Sequence, residues 1–250
     1  MSQPIYFPDS FTWPKELEEI FLKYKDSVLK ENHEESKIIN KGFSHAELEN
    51  PFTQLATHEI RNFLKENTAL AWHCTRTKTP EKILIEGLKP LSIEFFNDSI
   101  LPEVLAKSNE RQKSKFIEIL ASPSFKKKYG GRFNQIWFYF DKKETTSEYS
   151  KLQYLNCFGG ELLKIILTEL GEEELEENLK NVGQPYVVEL VINLNQVEGL
   201  EGIASIILKN FLSKSDQNLI SSSQNVVGGY IKGKAIIPKG IIHLDNFLPY

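Results

Sequence analysis

The sequence predicts an α+β fold, with a helical N-terminal extension over residues 1–68 and a mixed strand-and-helix domain over 69–250. Three observations carry this. Apolar residues in the first third recur at helical spacing. From Ala69 onward, short alternating segments are interleaved with helical ones. The chain then closes on two strand-like runs, Val226–Ile237 and Ile241–Leu244. Its 250 residues, 40% hydrophobic and 26% charged, are enough for a sizeable buried core.

Taken in order, the first helix lies between Trp13 and Leu29, with Trp13, Leu17, Ile20, Phe21, Tyr24 and Val28 on one face. Glu16, Glu18 and Glu19 fall in its early turns, where the helix dipole favours negative charge. The polar stretch Asn32–Gly42 predicts a loop. Asn50-Pro51 predicts the start of a second helix, a cap residue followed by proline at the first helical position. Its apolar face is Phe52, Leu55, Ala56, Ile60, Phe63 and Leu64. Ala69–Thr75 predicts a strand with Leu70, Trp72 and Cys74 on one face and Ala71, His73 and Thr75 on the other. Thr79-Pro80 opens a short helix that Gly87 closes as a left-handed cap. A polar, helical insertion follows to about Ser122.

The next strand is Gln135–Phe140. A helix beginning near Gly159-Gly160-Glu161 buries Leu162, Leu163, Ile166, Leu167 and Leu170 and stops at Gly171. Glu172–Leu179 predicts an acidic surface helix, Tyr186–Leu194 a strand, Ile203–Leu212 a helix and Ser213–Asn225 a loop.

Composition narrows the function classes. A net charge of −4 argues against a general electrostatic grip on nucleic acid. The concentrated basic run is Lys126-Lys127-Lys128-Tyr129-Gly130-Gly131-Arg132, read either as a solvated loop or as a guide for phosphate or RNA. No secretory signal and no run of about 18 apolar residues is visible, so no membrane is expected. Two cysteines, Cys74 and Cys157, make neither a disulfide framework nor a zinc cluster and suit a reducing compartment, with cytoplasm the expectation. His58-Glu59 lacks the second histidine of a zinc-protease helix, and no metal is expected. Walker loop, GxGxxG and serine elbow are all missing from the sequence.

The chemistry-bearing segment is Ala71-Trp72-His73-Cys74-Thr75-Arg76, followed by Pro80 to Pro90. His73 and Thr75 present two hydrogen-bonding groups to one space, and the next helix turns its N-terminus toward it. Such a corner suits a ribose hydroxyl beside a phosphate. On the second strand Trp137, Tyr139 and Asp141 share a face. Plain structural readings stand beside these: a satisfied strand histidine, core aromatics at Trp137 and Tyr139, packing at Tyr149, and a dipole-stabilised Glu161.

In their order these segments resemble the ADP-ribosyltransferase superfamily, in the branch whose first strand ends His-x-Thr and leads to a helix closed by a Gly-Leu pair. Here these are His73-Cys74-Thr75 and Gly87-Leu88. That branch includes the poly-ADP-ribose polymerases, diphtheria-like toxins and RNA 2′-phosphotransferases. The second motif is matched by Gln135–Asp141, and the closing hairpin by Val226–Ile241 with Pro238. The resemblance implies a split β-sheet core and NAD as co-substrate without metal. It places His73 and Thr75 at the adenosine ribose, Arg76 at the pyrophosphate, and Trp137 or Tyr139 against nicotinamide, with Tyr149 as a second ring. Flat rings suit nicotinamide because stacking tolerates its cationic charge.

The sequence departs from the family at the acid expected before the last strand. No carboxylate stands between Asp216 and Asp245, and Gln224, Asn225 or Tyr230 could occupy the place. Glu161, after two glycines at a helix start, is the best available acid, so the implied catalytic set is His73, Tyr139 and Glu161. The function implied is NAD-dependent ADP-ribosyl transfer to a macromolecule, RNA or protein. The implied role is an intracellular toxin or phage-defence effector with a neutralising antitoxin protein as partner. The alternative is a non-catalytic or divergent relative that binds NAD or an RNA end in the same cleft. A phosphotransferase version needs several arginines, and the chain has Arg61, Arg76, Arg111 and Arg132. A purely structural interaction protein would leave the motif order a coincidence.

Overall fold

The computed structural model describes residues 3–8, 12–39, 50–147, 155, 158–215 and 228–247. Contacts divide the chain into two units. One comprises Met1–Leu70 with Ile192–Gly229, the other Ala71–Val191 with Tyr230–Tyr250. The N-terminal extension is therefore joined by a late segment that a boundary at residue 68 places in the second domain.

In the first unit, helices α1 (Lys15–Ile39) and α2 (Pro51–Lys65) pack with the late helix Leu200–Ser215. Phe21 stacks on Phe211 with ring centroids 4.5 Å apart, and Trp13 lies 5.1 Å from Phe21. Helix α1 continues to Ile39 through the stretch expected to be a loop. The polar extension has a structural use. The Glu31 carboxylate accepts from the backbone N–H groups of Phe52 (2.8 Å) and Thr53 (2.9 Å) and from the Thr53 hydroxyl (2.8 Å). Glu31 thus caps α2, while the side chain of Asn50, the expected cap, makes no cap bond. The buried face of α2 is Ala56, Ile60 and Leu64, and Phe52 and Leu55 are exposed.

The strands form one five-stranded antiparallel sheet, which makes the fold α+β. They are β1 (Thr68–Thr77), β2 (Gln135–Tyr139), β3 (Gln184–Asn193), β4 (Gly228–Lys232) and β5 (Gly240–His243), in the order β4-β2-β1-β3-β5. Trp72 on β1 faces Tyr139 on β2. On the other side, Tyr186–Glu189 of β3 pairs with Gly240–His243 of β5. Beyond β4, Ile236 forms an antiparallel bridge with Leu88, with N–H···O distances of 2.8 and 3.0 Å.

Helix α3 (Pro80–Glu86) leads into that bridge. Gly87 has φ 86° and ψ 160°, so it is an extended turn and not the left-handed helical cap expected. A Cβ there would lie 3.1 Å from the Ile236 carbonyl oxygen. Only glycine gives both the positive φ and the close approach.

The insertion is helical: a short α segment Ile93–Phe95, a π turn Phe96–Ile100, then α4 (Leu101–Lys107), α5 (Glu110–Ala121) and α6 (Pro123–Tyr129). The expected basic loop is the end of α6 plus a 3-10 turn, Gly130–Arg132. Helix α7 (Gly160–Leu170) stops at Gly171, and α8 (Glu173–Leu179) follows. Phe96, Val104, Phe116, Leu163 and Ile166 form the centre of this layer, and Leu175 and Leu179 of α8 are buried in it. The acidic helix is thus half core. Glu172 is only 4% exposed, and its carboxylate accepts from Gln112 (2.8 Å), Lys115 (2.9 Å) and Arg111 (3.3 Å).

Among the described residues no helix is long and apolar enough to cross a membrane. Tyr149, Cys157, Gln224 and Asn225 lie outside the described residues.

Candidate functional site

A cavity of about 540 Å³ opens in the second unit, where the C-terminal end of β1 meets the N-terminal end of β2. Consecutive residues of both strands wall it, His73–Thr77 and Gln135–Trp137. In a flat ladder a single face offers only alternate residues, so the cavity meets these strands at their ends. Helix α3 and the Gly87–Lys89 turn form a second side, and Phe95, Ile100, Phe158 and Leu162 form an apolar floor.

His73 is half-buried at the rim. Its Nδ1 lies 2.6 Å from the carbonyl oxygen of Trp137. A carbonyl only accepts, so Nδ1 carries the proton and donates. Burial holds the imidazole pKa below its ordinary value, with the Trp137 bond opposing this. The neutral ring then keeps Nε2 as a hydrogen-bond acceptor. An acceptor of this kind suits a hydroxyl donor.

The pairing of Trp72 with Tyr139 also corrects an expectation. Side chains alternate along a strand. This register therefore sets Tyr139 and Trp137 on the Trp72 side of the sheet, and His73 and Thr75 on the other. Imidazole and rings do not share a face, and His73 meets β2 through the Trp137 main chain. Tyr139 is not among the cavity-lining residues, whereas Thr75 and Trp137 are. The Trp137 ring lies tilted against Tyr230, with centroids 4.6 Å apart and planes at 35°. Its Nε1–H donates to the Gln135 side chain at 2.9 Å.

Arg76 lines the wall, but two of its donors hold main chain. Nε donates to the Val182 carbonyl and an Nη to the Leu155 carbonyl, each at 2.9 Å. It offers an anion charge more than an open fork. Gly159, the N-cap of α7, and Gly160, its first residue, line the cavity, both with positive φ. Glu161 occupies the next position on that helix.

The charge balance of the wall was not legible in the sequence. Arg76, Lys78, Lys82, Lys89 and Arg132 face two carboxylates, Glu86 and Glu103. Lys78 pairs with Glu103 at 2.5 Å and Lys89 pairs with Glu86. Counted by residue, the wall holds five cationic side chains and two carboxylates, in a chain whose net charge is −4. Arg132 ends the basic run that one reading takes as a guide for phosphate, whereas Lys82 sits inside the Pro80–Pro90 motif without being singled out. Lys128, by contrast, is paired with Glu169. Among the described residues no group of three or more His, Cys, Asp or Glu is placed to hold a metal ion.

Compared with protein-family models, curated proteins and solved structures, the chain matches none.

Proposed function

We propose that the cavity binds NAD and that the protein transfers the ADP-ribosyl group to a macromolecule. The observation that carries this is a cation-rich cavity with an apolar floor and a neutral histidine at its rim. Its volume falls within the ~300–1,000 Å³ typical of small-molecule sites. A dinucleotide needs those three chemistries together: charge for a pyrophosphate, an acceptor for a ribose hydroxyl and apolar surface for a base.

In this reading His73 Nε2 accepts from a ribose hydroxyl, and Thr75 lies beside it. Lys82 and Arg132 supply the charge that balances the pyrophosphate, and Arg76 contributes charge from behind. The backbone at the start of α7 comes close because Gly159 and Gly160 carry no side chain, and helix N-termini favour phosphate oxygens. Trp137, unlike Tyr139, is among the residues of the wall. Bound NAD supplies a sugar carbon whose bond to nicotinamide breaks, the electron pair leaving with the neutral ring. That carbon takes its new bond from an oxygen or nitrogen of the acceptor, and the acceptor's proton passes to a base. Glu161 is the proposed carboxylate, on the strength of its position after the two glycines.

Calorimetric titration with NAD and a nicotinamide-release assay test this on the whole chain. Binding and release are expected for the unmodified protein. Glu161→Gln is expected to keep NAD affinity within about threefold and lose about a hundredfold in release, the scale of one lost electrostatic contact at the reacting centre. Full activity of that variant would move the acid elsewhere. Binding without release would make the protein a nucleotide-binding module, and no binding at all would end the proposal.

A further inference from the structure

We infer that the macromolecule brought to this cavity is a single-stranded nucleic acid, held by an aromatic platform made of Trp137 and Tyr230 with Lys232 over the Tyr230 ring. The assignment of that strand as acceptor rests on the transferase reading above, while its binding does not.

The platform is built from neighbouring strands. Trp137 on β2 and Tyr230 on β4 lie against each other with ring centroids 4.6 Å apart and planes tilted by 35°, and the Lys232 ammonium lies over the Tyr230 ring, 5.7 Å from its centre. Cross-strand aromatic pairs are common and stabilise a sheet. This one differs in how much of it faces water. Trp137 remains 50% exposed, and Tyr230 is only partly covered. The indole is also held in one orientation by its Nε1–H bond to Gln135. An oriented, half-exposed ring beside a cation matches the two groups a single strand repeats, a flat base and a phosphate.

The position supports the same occupant. Trp137 and Gln135 belong to both the platform and the cavity wall, and Arg132 joins the wall three residues before β2. A strand stacked on Trp137 is thus continuous with the cavity. Of the basic run Lys126–Arg132, Arg132 joins this wall, while Lys128 is paired with Glu169. With a chain charge of −4, the grip is confined to this face and to a few nucleotides.

Fluorescence anisotropy of labelled oligouridine, oligothymidine and a duplex, with the whole chain and no NAD, tests the inference. Single strands are expected to bind, and the duplex less well. Tyr230→Ala is expected to weaken single-strand binding about tenfold, and Tyr230→Phe to restore it to within about twofold, since the π face is what matters. Lys232→Gln, at an exposed position, is expected to reduce the salt dependence of binding and decides the question even if Tyr230→Ala unfolds. No single-strand binding, or binding unchanged in both Tyr230→Ala and Lys232→Gln, overturns the platform. Tyr230-dependent strand binding without NAD binding would sink the transferase reading and leave the platform standing. Labelled NAD marking a protein and no nucleic acid in a lysate would overturn the acceptor.

Discussion

His73 donates from Nδ1 to the main-chain carbonyl of Trp137 across 2.6 Å, so a side chain of β1 is tied to the backbone of β2 at the cavity rim. The bond fixes the tautomer and therefore which nitrogen remains as acceptor.

This bond sets a pH dependence with a definite sign. Burial lowers the folded-state pKa of His73 from the ordinary 6.5, so below that value the unfolded chain binds a proton that the folded chain resists. Folding stability is then complete above about pH 6.5 and declines as pH falls from there toward the folded value. NAD affinity is expected to fall only at lower pH, as pH passes down through the lowered folded-state value, because protonation then removes the Nε2 acceptor. His73→Asn keeps an amide donor for the Trp137 carbonyl and does not titrate. Thermal melts and calorimetry between about pH 7 and about pH 5 are expected to show a shallower slope in this variant. Equal slopes would mean that another group titrates.

Arg76 separates a structural role from a ligand role. Its two bonds go to the Val182 and Leu155 carbonyls, which places it between segments that flank β1. Lysine keeps the charge but lacks the planar fork. Arg76→Lys is expected to lose about 1–3 kcal/mol in urea unfolding, the value of a charge-assisted hydrogen bond. NAD affinity is expected to stay within about threefold, since the charge at the wall is retained. A large affinity loss with unchanged unfolding would make Arg76 a direct ligand.

The strand carrying His73 and Thr75, the strand at Gln135 and the helix from Gly160 to Gly171 were legible because each has a strong local period or a glycine stop. What was not legible depended on partners distant in sequence. Alternation placed His73 and Thr75 on one face of β1, but only the pairing of Trp72 with Tyr139 reveals which face of β2 they meet. Glu31 looked like part of a polar stretch because its partners, Phe52 and Thr53, lie in another helix. The acidic helix looked exposed because Leu175 and Leu179 are outnumbered by glutamates, although those two face the core. Arg132 belonged to a basic run readable as a guide for phosphate, but Lys82 carried no local signal, since converging cations are recognisable only once β1, α3 and β2 are brought together.

The Glu31 cap gives a prediction in the first unit. Alanine is the best helix former, so Glu31→Ala does not harm α1 itself. Any loss of stability therefore reports the bonds to Phe52 and Thr53. We expect a loss of about 0.5–2 kcal/mol, the usual value of a helix cap. Asn50→Ala is expected to cost under about 0.5 kcal/mol, because the Asn50 side chain does not cap α2. Chemical denaturation of the two variants checks the order, and a larger loss in Asn50→Ala would reverse the assignment.

The two glycines at the start of α7 have the same backbone sign but different surroundings. Gly159 has φ 79°, and a Cβ there would lie 2.9 Å from both Ile100 Cγ2 and Leu163 Cδ2. Gly160 has φ 70°, with nothing within 4 Å of the corresponding point. Gly160→Ala is then expected to cost only the left-handed conformation, about 1–2 kcal/mol. Gly159→Ala carries that cost plus overlap with two buried side chains, one of them Ile100 at the cavity floor, which adds about 1–3 kcal/mol. Differential scanning calorimetry should place Gly159→Ala clearly below Gly160→Ala in melting temperature. If the backbone at Gly160 is also where pyrophosphate approaches, Gly160→Ala will lose NAD affinity by more than its small stability cost accounts for. A Gly160→Ala variant with NAD affinity unchanged would show that the dinucleotide does not reach the start of α7, and Glu161 would lose its place in the proposed chemistry.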